Sequence, residues 1–216
     1  MLFQFDIFDI IYILSVIILF LQVVGFIGLI IVGISQFRNK EGINKPIIFA
    51  IIGLIEVLYF SINERIIRIM WGIWGGSITD FILQMQDALR GLIPNIISLI
   101  TFGALFLFLG IKNKENFGKF LMFSGIFWIV FGIFIITFDS ILISTYTPPP
   151  IPIELYRFSL FLPSIASIFM ITSSIFFMIY AIKVDVKILL FSSICLLLAS
   201  IVFAGNSFFQ LILFFP

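Results

Sequence analysis

Three short basic segments divide the chain: RNKEGINK at residues 38–45, KNKENFGK at 112–119 and KVDVK at 183–187. All seven lysines of the protein lie in these segments, and each segment separates two long apolar runs. A basic segment between apolar runs is typical of a loop at a membrane edge. The pattern therefore predicts three helical hairpins that share one basic end.

The composition is that of a membrane protein. Of the 216 residues, 62% are hydrophobic and 11% are charged, and the mean hydropathy is +1.29. A soluble domain carries about 25% charged residues, and a water-soluble fold of this length cannot hide so much apolar surface. We therefore expect an all-α integral membrane protein, formed as a single transmembrane domain over 1–216, whose main partner is the lipid bilayer.

The apolar runs predict six transmembrane helices. A helix needs about 20 residues to cross a hydrocarbon core of roughly 30 Å. The second run reaches that length only if it continues to residue 74. The sequence does not decide whether it ends at residue 62 or at residue 74. The predicted spans are 10–36, 46–62 (or 46–74), 92–111, 120–138, 160–182 and 188–204.

Three other segments are expected not to cross the membrane. Residues 77–90 carry apolar side chains at i, i+3, i+4 and i+7, which predicts an external amphipathic helix lying in the interface. Residues 144–152 include consecutive prolines and predict a stiff extended spacer. The apolar tail 208–216 is too short to cross. It either prolongs the sixth helix or folds back against the bundle, and the pattern does not choose between these.

The basic residues predict the orientation. Eight of them lie in the three basic segments, whereas four, all arginines, lie on the other side. Basic residues accumulate in cytoplasmic loops. We therefore expect a protein of the cell membrane with its basic segments in the cytoplasm and both termini outside.

The residues that enter the even-numbered helices resemble one another: KPIIFAII at 45–52, KFLMFSGI at 119–126 and KILLFSSI at 187–194. Small residues also recur seven positions apart, which places each pair on one helix face. Such faces let helices pack closely, so the pattern favours an internal repeat, and the same Gly/Ser faces are candidates for self-association or contact with other membrane subunits. The pairs are Gly103 and Gly110, Gly125 and Gly132, Ser174 and Ala181, and Ser193 and Ser200.

Several classes of function are excluded or disfavoured by what the chain lacks. It has no histidine and one cysteine, Cys195, which excludes an internal disulfide, His-ligated haem, the usual zinc and copper sites and Ser-His or Cys-His catalysis. The near-neutral balance of 12 basic and 11 acidic residues argues against nucleic acid as a partner. The carboxylates lie singly, and there is no Gly-rich phosphate loop. We expect no cofactor, no metal and no enzymatic activity.

Glu56 is the one charged residue deep within a predicted span. Tyr59 and Asn63 follow it at helical spacing, and Gln22 on the first helix reaches a similar depth. In one interpretation Glu56 is a proton or cation site with Tyr59, Asn63 and Gln22 as polar neighbours. In the other it stays protonated, with a raised pKa, and only fixes helix packing. The packing interpretation is favoured, because no basic residue accompanies Glu56 within the membrane.

The sequence thus predicts a multi-pass membrane protein without a catalytic motif, acting as a structural or interaction module. The alternative is a small transporter or channel that uses Glu56. A continuous polar path along the helices would favour the alternative.

Overall fold

The structure, a computed structural model, describes residues 7–38, 49, 51–55, 96, 99–113, 117–145, 152–159 and 161–214. Within these ranges nearly every residue is helical and none lies in a strand, which confirms the predicted all-α class. The elements are α1 (Ile7–Arg38), a π-helical segment (Leu99–Ala104) that continues into α2 (Leu105–Lys112), α3 (Lys119–Thr145), α4 (Ile153–Ser159), α5 (Phe161–Val184) and α6 (Lys187–Phe214).

Four of the described helices are long and apolar enough to cross a membrane, and they coincide with the first, fourth, fifth and sixth predicted spans. Of the second span only residues 49 and 51–55 are described, and they are helical. The described part of the third span contains a shorter apolar helix, Thr101–Lys112. The predicted interfacial helix 77–90 lies outside the described residues. The four long segments are Ile13–Ser35, Lys119–Ile141, Phe161–Val184 and Lys187–Ile212.

The last helix is longer than the sequence pattern predicted. α6 runs through Gly205, Asn206 and Ser207 and ends at Phe214, so residues 208–214 prolong the sixth helix instead of folding back. The predicted end at residue 204 came too early. A glycine inside a helix costs only about 1 kcal/mol, and contacts of the following turns with the bundle offset that cost.

The π-helical segment and α2 pack antiparallel against α3 through glycine. A Cβ atom on Gly110 would touch the backbone of Met122, and one on Gly103 would lie 2.7 Å from Cγ1 of Ile129. Gly110 therefore pairs with Met122 and the earlier Gly103 pairs with the later Ile129, so the two helices run in opposite directions. Glycine is required at Gly110 because the neighbouring backbone approaches too closely for a side chain, whereas at Gly103 the close atom belongs to the side chain of Ile129.

The first and last helices also pack antiparallel. Gly28 of α1 faces Ser192 of α6, and Gly25 faces Leu196, whose Cγ would lie 2.9 Å from a Cβ at that position. The C-terminus of α1 therefore lies beside the N-terminus of α6. This contact joins α1 to α6, the described helices that are farthest apart in the sequence.

Two adjacent serines of α5 connect it to a different helix on each side. Ser173 donates a hydrogen bond to the backbone carbonyl of Ser124 on α3 (2.8 Å), so its hydroxyl accepts from that of Ser124 (3.1 Å). Ser200 of α6 donates to the carbonyl of Leu196, so the hydroxyl of Ser174 donates to Ser200 (2.8 Å). Serine pairs of this kind satisfy buried polar groups and join helices in lipid.

These directions bring the described ends of the three basic segments to the same end of the bundle, here called the basic end. The C-terminus of α1 at Arg38 lies beside the N-terminus of α6 at Lys187, and Lys183 precedes the short connection to Lys187. Lys112 and Lys119 flank the connection between α2 and α3. The contact of Ser124 with Ser173 places this connection at the same end of the bundle as Lys183. The opposite end is called the far end.

The small residues of the predicted faces are buried. Every member of the four pairs lies in the interior, including Gly125, which faces the backbone of Leu107, and Ser174, which bonds to Ser200. They allow close approach within antiparallel helix pairs, which is the packing role predicted for them.

An aromatic cluster forms the centre of the bundle. The ring of Phe102 has its centroid 4.1 Å from that of Phe106 and 4.4 Å from that of Trp128. It also meets Phe26 and Phe177 edge-on, at 5.9 and 6.1 Å. All five side chains are at most 2% exposed, so rings from five helical segments make one apolar core.

The outer surface of the described helices is apolar. Phe20 is 66% exposed and Ile212 is 72% exposed. A soluble protein rarely exposes so much contiguous apolar surface, whereas a membrane protein presents it to lipid. Other exposed side chains on the long helices include Ile34, Ile133, Ile168 and Phe191.

Candidate functional site

The structure describes one of the four candidate site residues named from the sequence. Gln22 lies in α1 and is 8% exposed. Glu56, Tyr59 and Asn63 lie outside the described residues, so the polar stripe through Glu56 stays a prediction. The site below is therefore built around Gln22.

Gln22 lines a cleft of about 330 Å³ where α1, α3, α5 and α6 meet. The lining residues come from the first halves of α1 and α5, from the middle and second half of α3 and from the second half of α6, so the cleft lies toward the far end of the bundle. Its volume is at the low end of the range for small-molecule sites, roughly 300–1,000 Å³. This far-end cleft is lined by Ile18, Gln22, Trp128, Phe131, Ile135, Phe138, Asp139, Pro163, Met170, Phe203, Asn206, Ser207 and Gln210.

α6 supplies most of the polar lining from one face. Phe203, Asn206, Ser207 and Gln210 follow one another at i, i+3, i+4 and i+7, so they project from the same side of a helix. This face exists because α6 continues through Gly205. A helix that ended at residue 204 would have left the cleft without this wall.

Among the described residues of the lining, the one charged group is acidic. Asp139 on α3 is half-buried, takes part in an interaction within the protein, and is the one ionisable side chain among the described residues of the lining. The other polar groups are the amides of Gln22, Asn206 and Gln210 and the hydroxyl of Ser207. The described lining thus offers one carboxylate and several neutral hydrogen-bonding groups to a molecule in the cleft.

Asn206 has a buried oxygen without a partner. Its side chain is 7% exposed, and within the described part of the chain Oδ1 accepts no hydrogen bond. An unsatisfied buried acceptor costs about 1–3 kcal/mol. A half-turn about the Cβ–Cγ bond exchanges Oδ1 with Nδ2, so the amide can present either a donor or an acceptor to the cleft.

The remaining wall is apolar and largely aromatic. Trp128 lies against Phe131, with ring centroids 5.1 Å apart, and Phe131 meets Phe203 edge-on at 5.9 Å. These contacts join α3 to α6 and hold the rings in position. Together with Phe138 and Met170 they form an apolar surface beside the polar groups, an arrangement that suits an amphipathic molecule.

No arrangement for metal binding is present in the described ranges, where no group of three or more Cys, Asp or Glu side chains lies close enough together to hold an ion. The cleft offers reversible contacts instead. An apolar body can rest on the rings while a polar head reaches the amides and the carboxylate.

Sequence reasoning named Gln22 but missed its partners in the cleft. Asn206 lies beyond the predicted end of the sixth span at residue 204, and Asp139 lies just beyond the predicted end of the fourth at residue 138. The sequence does contain a sign that the helix continues: Phe203, Asn206 and Gln210 keep the helical spacing i, i+3, i+7 across Gly205.

Helices that can cross a membrane, an apolar exterior and an interior joined by serine and glycine contacts are features typical of a helical membrane protein. Comparison of the chain with models of protein families, with curated proteins and with solved structures gives no match.

Proposed function

We propose that the protein is a multi-pass protein of the cell membrane, with six spans in three repeated hairpins, that acts as a structural or interaction module without catalytic activity. The basic end lies in the cytoplasm, and both termini lie outside. The four candidate spans and the placement of the described basic segments at one end support this arrangement.

The observation that carries the structural role is the packing of the basic half of the bundle. There the serines bond to one another across helices, as in the Ser124–Ser173 and Ser174–Ser200 pairs. Gly125 and Gly28 bring backbones into close approach. Such packing gives a rigid body whose polar groups are already satisfied, which suits a scaffold for other membrane subunits or for a second copy of the chain.

One observation favours the alternative, a small transporter or channel. Gln22 was named as a polar neighbour of Glu56, and it lines a cleft that also holds Asn206 and Asp139. A polar cleft within a helical bundle is a feature of substrate pathways. In this second proposal Glu56 binds the proton or cation, with Tyr59 and Asn63 beside it.

Proton flux in liposomes separates the two proposals. We expect liposomes that contain the protein to leak protons no faster than protein-free liposomes, under both an inward pH gradient and a potassium-diffusion potential. Glu56→Gln should then change nothing. The matched control is Glu41→Gln, which removes an acid from a basic segment instead.

A protein-dependent flux that Glu56→Gln abolishes and Glu41→Gln preserves would contradict the scaffold role and establish the transporter. A flux that survives both substitutions would contradict the scaffold role and also the assignment of Glu56.

A further inference from the structure

We propose that the far-end cleft is a binding site for a small organic cation with an apolar body, of the arylalkylammonium class. The proposal goes beyond the scaffold role and does not depend on it, because a molecule can bind in the cleft without crossing the membrane. It is carried by the composition of the lining, by the unpartnered amide of Asn206 and by the aromatic wall.

The charge of the site selects a cation. Asp139, which also interacts within the protein, is the one ionisable group among the described residues of the lining, and the neutral groups beside it have oxygen acceptors. Within a low-dielectric bundle a carboxylate attracts an ammonium group much more strongly than it does in water. The same carboxylate repels an anionic head, so a carboxylic acid of the same shape is rejected.

The aromatic wall selects an apolar body and adds to the preference for a cation. The rings of Trp128, Phe131 and Phe203 form a connected surface on one side of the cleft. Aromatic faces attract ammonium groups, and they bury the apolar part of a ligand. A cleft of about 330 Å³ accommodates a single aromatic ring with a short alkylammonium chain.

Asn206 provides the position for the polar head. Its Oδ1 is buried without a partner in the described part of the chain, whereas an ammonium group brings three N–H donors. A ligand donor that reaches this amide removes the cost of the unsatisfied acceptor. Both an ammonium head and a hydroxyl head carry such a donor.

The test uses three probes with one body and three heads: 2-phenylethylamine, 2-phenylethanol and 3-phenylpropionate. Binding is followed by the fluorescence of Trp128 in a Trp71→Phe, Trp74→Phe background, in nanodiscs of zwitterionic lipid, with empty nanodiscs as the control for partitioning. We expect saturable binding in the order amine, alcohol, carboxylate, with the amine about tenfold tighter than the alcohol.

Asp139→Asn should weaken the amine about tenfold and leave the alcohol unchanged, so that the preference disappears. Asp185→Asn, which removes an exposed acid at the basic end, is the matched control and should leave all three affinities unchanged. Asn206→Leu should weaken both the amine and the alcohol.

The proposal is overturned if no probe binds saturably to the chain with Trp71→Phe and Trp74→Phe, if the carboxylate or the alcohol binds as tightly as the amine, or if Asp139→Asn retains the preference for the amine. The comparison of the three probes on this background leaves every residue of the cleft unchanged, so it stands even if Asp139→Asn does not fold. Failure here leaves the liposome result for the scaffold unaffected, since that experiment contains no probe.

Discussion

Gly125→Ala is expected to lower the free energy of unfolding by about 2–3 kcal/mol, the cost of overpacking a close helix contact. A Cβ at this position would lie 2.5 Å from the backbone nitrogen of Leu107 and 2.7 Å from the carbonyl oxygen of Gly103. Both atoms belong to the backbone of the neighbouring helix, so neither can swing aside as a side chain would. The two helices must separate, which also loosens the aromatic contacts beside them.

The matched control is Gly205→Ala on α6. No heavy atom lies within 4 Å of a Cβ at Gly205, and alanine is favoured over glycine in a helix by about 0.5–1 kcal/mol. We therefore expect this substitution to stabilise the protein slightly. Unfolding by SDS in mixed micelles, followed by circular dichroism, measures both. Equal losses for the two variants would contradict the packing described for Gly125.

Gly28→Ala is expected to cost about 1–3 kcal/mol, and Ser192→Ala should restore most of that loss. The hydroxyl of Ser192 donates to the carbonyl of Ile188 on its own helix, and in that rotamer it occupies the space of a Cβ on Gly28. Removing the hydroxyl leaves the two Cβ atoms 3.2 Å apart. Recovery should therefore be large but incomplete.

A double-mutant cycle measures this coupling. Ser192→Ala alone should cost about 0.6 kcal/mol or less, the average for a side-chain hydrogen bond in a membrane bundle. The pair should then show a coupling of about 1–2 kcal/mol in the direction of rescue. Strictly additive losses would mean that α1 and α6 do not meet at these residues, and the closure of the bundle by its first and last helices would be wrong.

Much of the described fold could be predicted from the sequence because the lipid bilayer imposes simple rules. The positions of the four long helices follow from the apolar runs, although the last helix extends beyond its predicted end, and the shared basic end follows from the lysines. The small-residue pairs, such as Gly103 with Gly110, identified buried faces because only small residues let backbones approach. Which helices meet, as α1 meets α6, could not be predicted, since apolar faces of similar composition pack equally well against several neighbours.

The site was harder to predict than the spans. The sixth span is predicted to end at residue 204, just before Gly205, although a glycine in a well-packed helix costs too little to stop it. That error moved Asn206 out of the bundle and concealed its position near Gln22 and Asp139. A cleft depends on residues from four helices, and no pattern within one segment shows how four helices converge.

The six-span arrangement is tested most directly by the sidedness of single cysteines. In a Cys195→Ala background, cysteines are placed at Gly42, Ser77 and Lys114, and intact cells are treated with a membrane-impermeant maleimide. We predict labelling of Ser77→Cys from outside, and labelling of Gly42→Cys and Lys114→Cys only after permeabilisation. If Ser77→Cys is protected together with the other two, the second and third apolar runs do not cross the membrane, and the three-hairpin account is wrong.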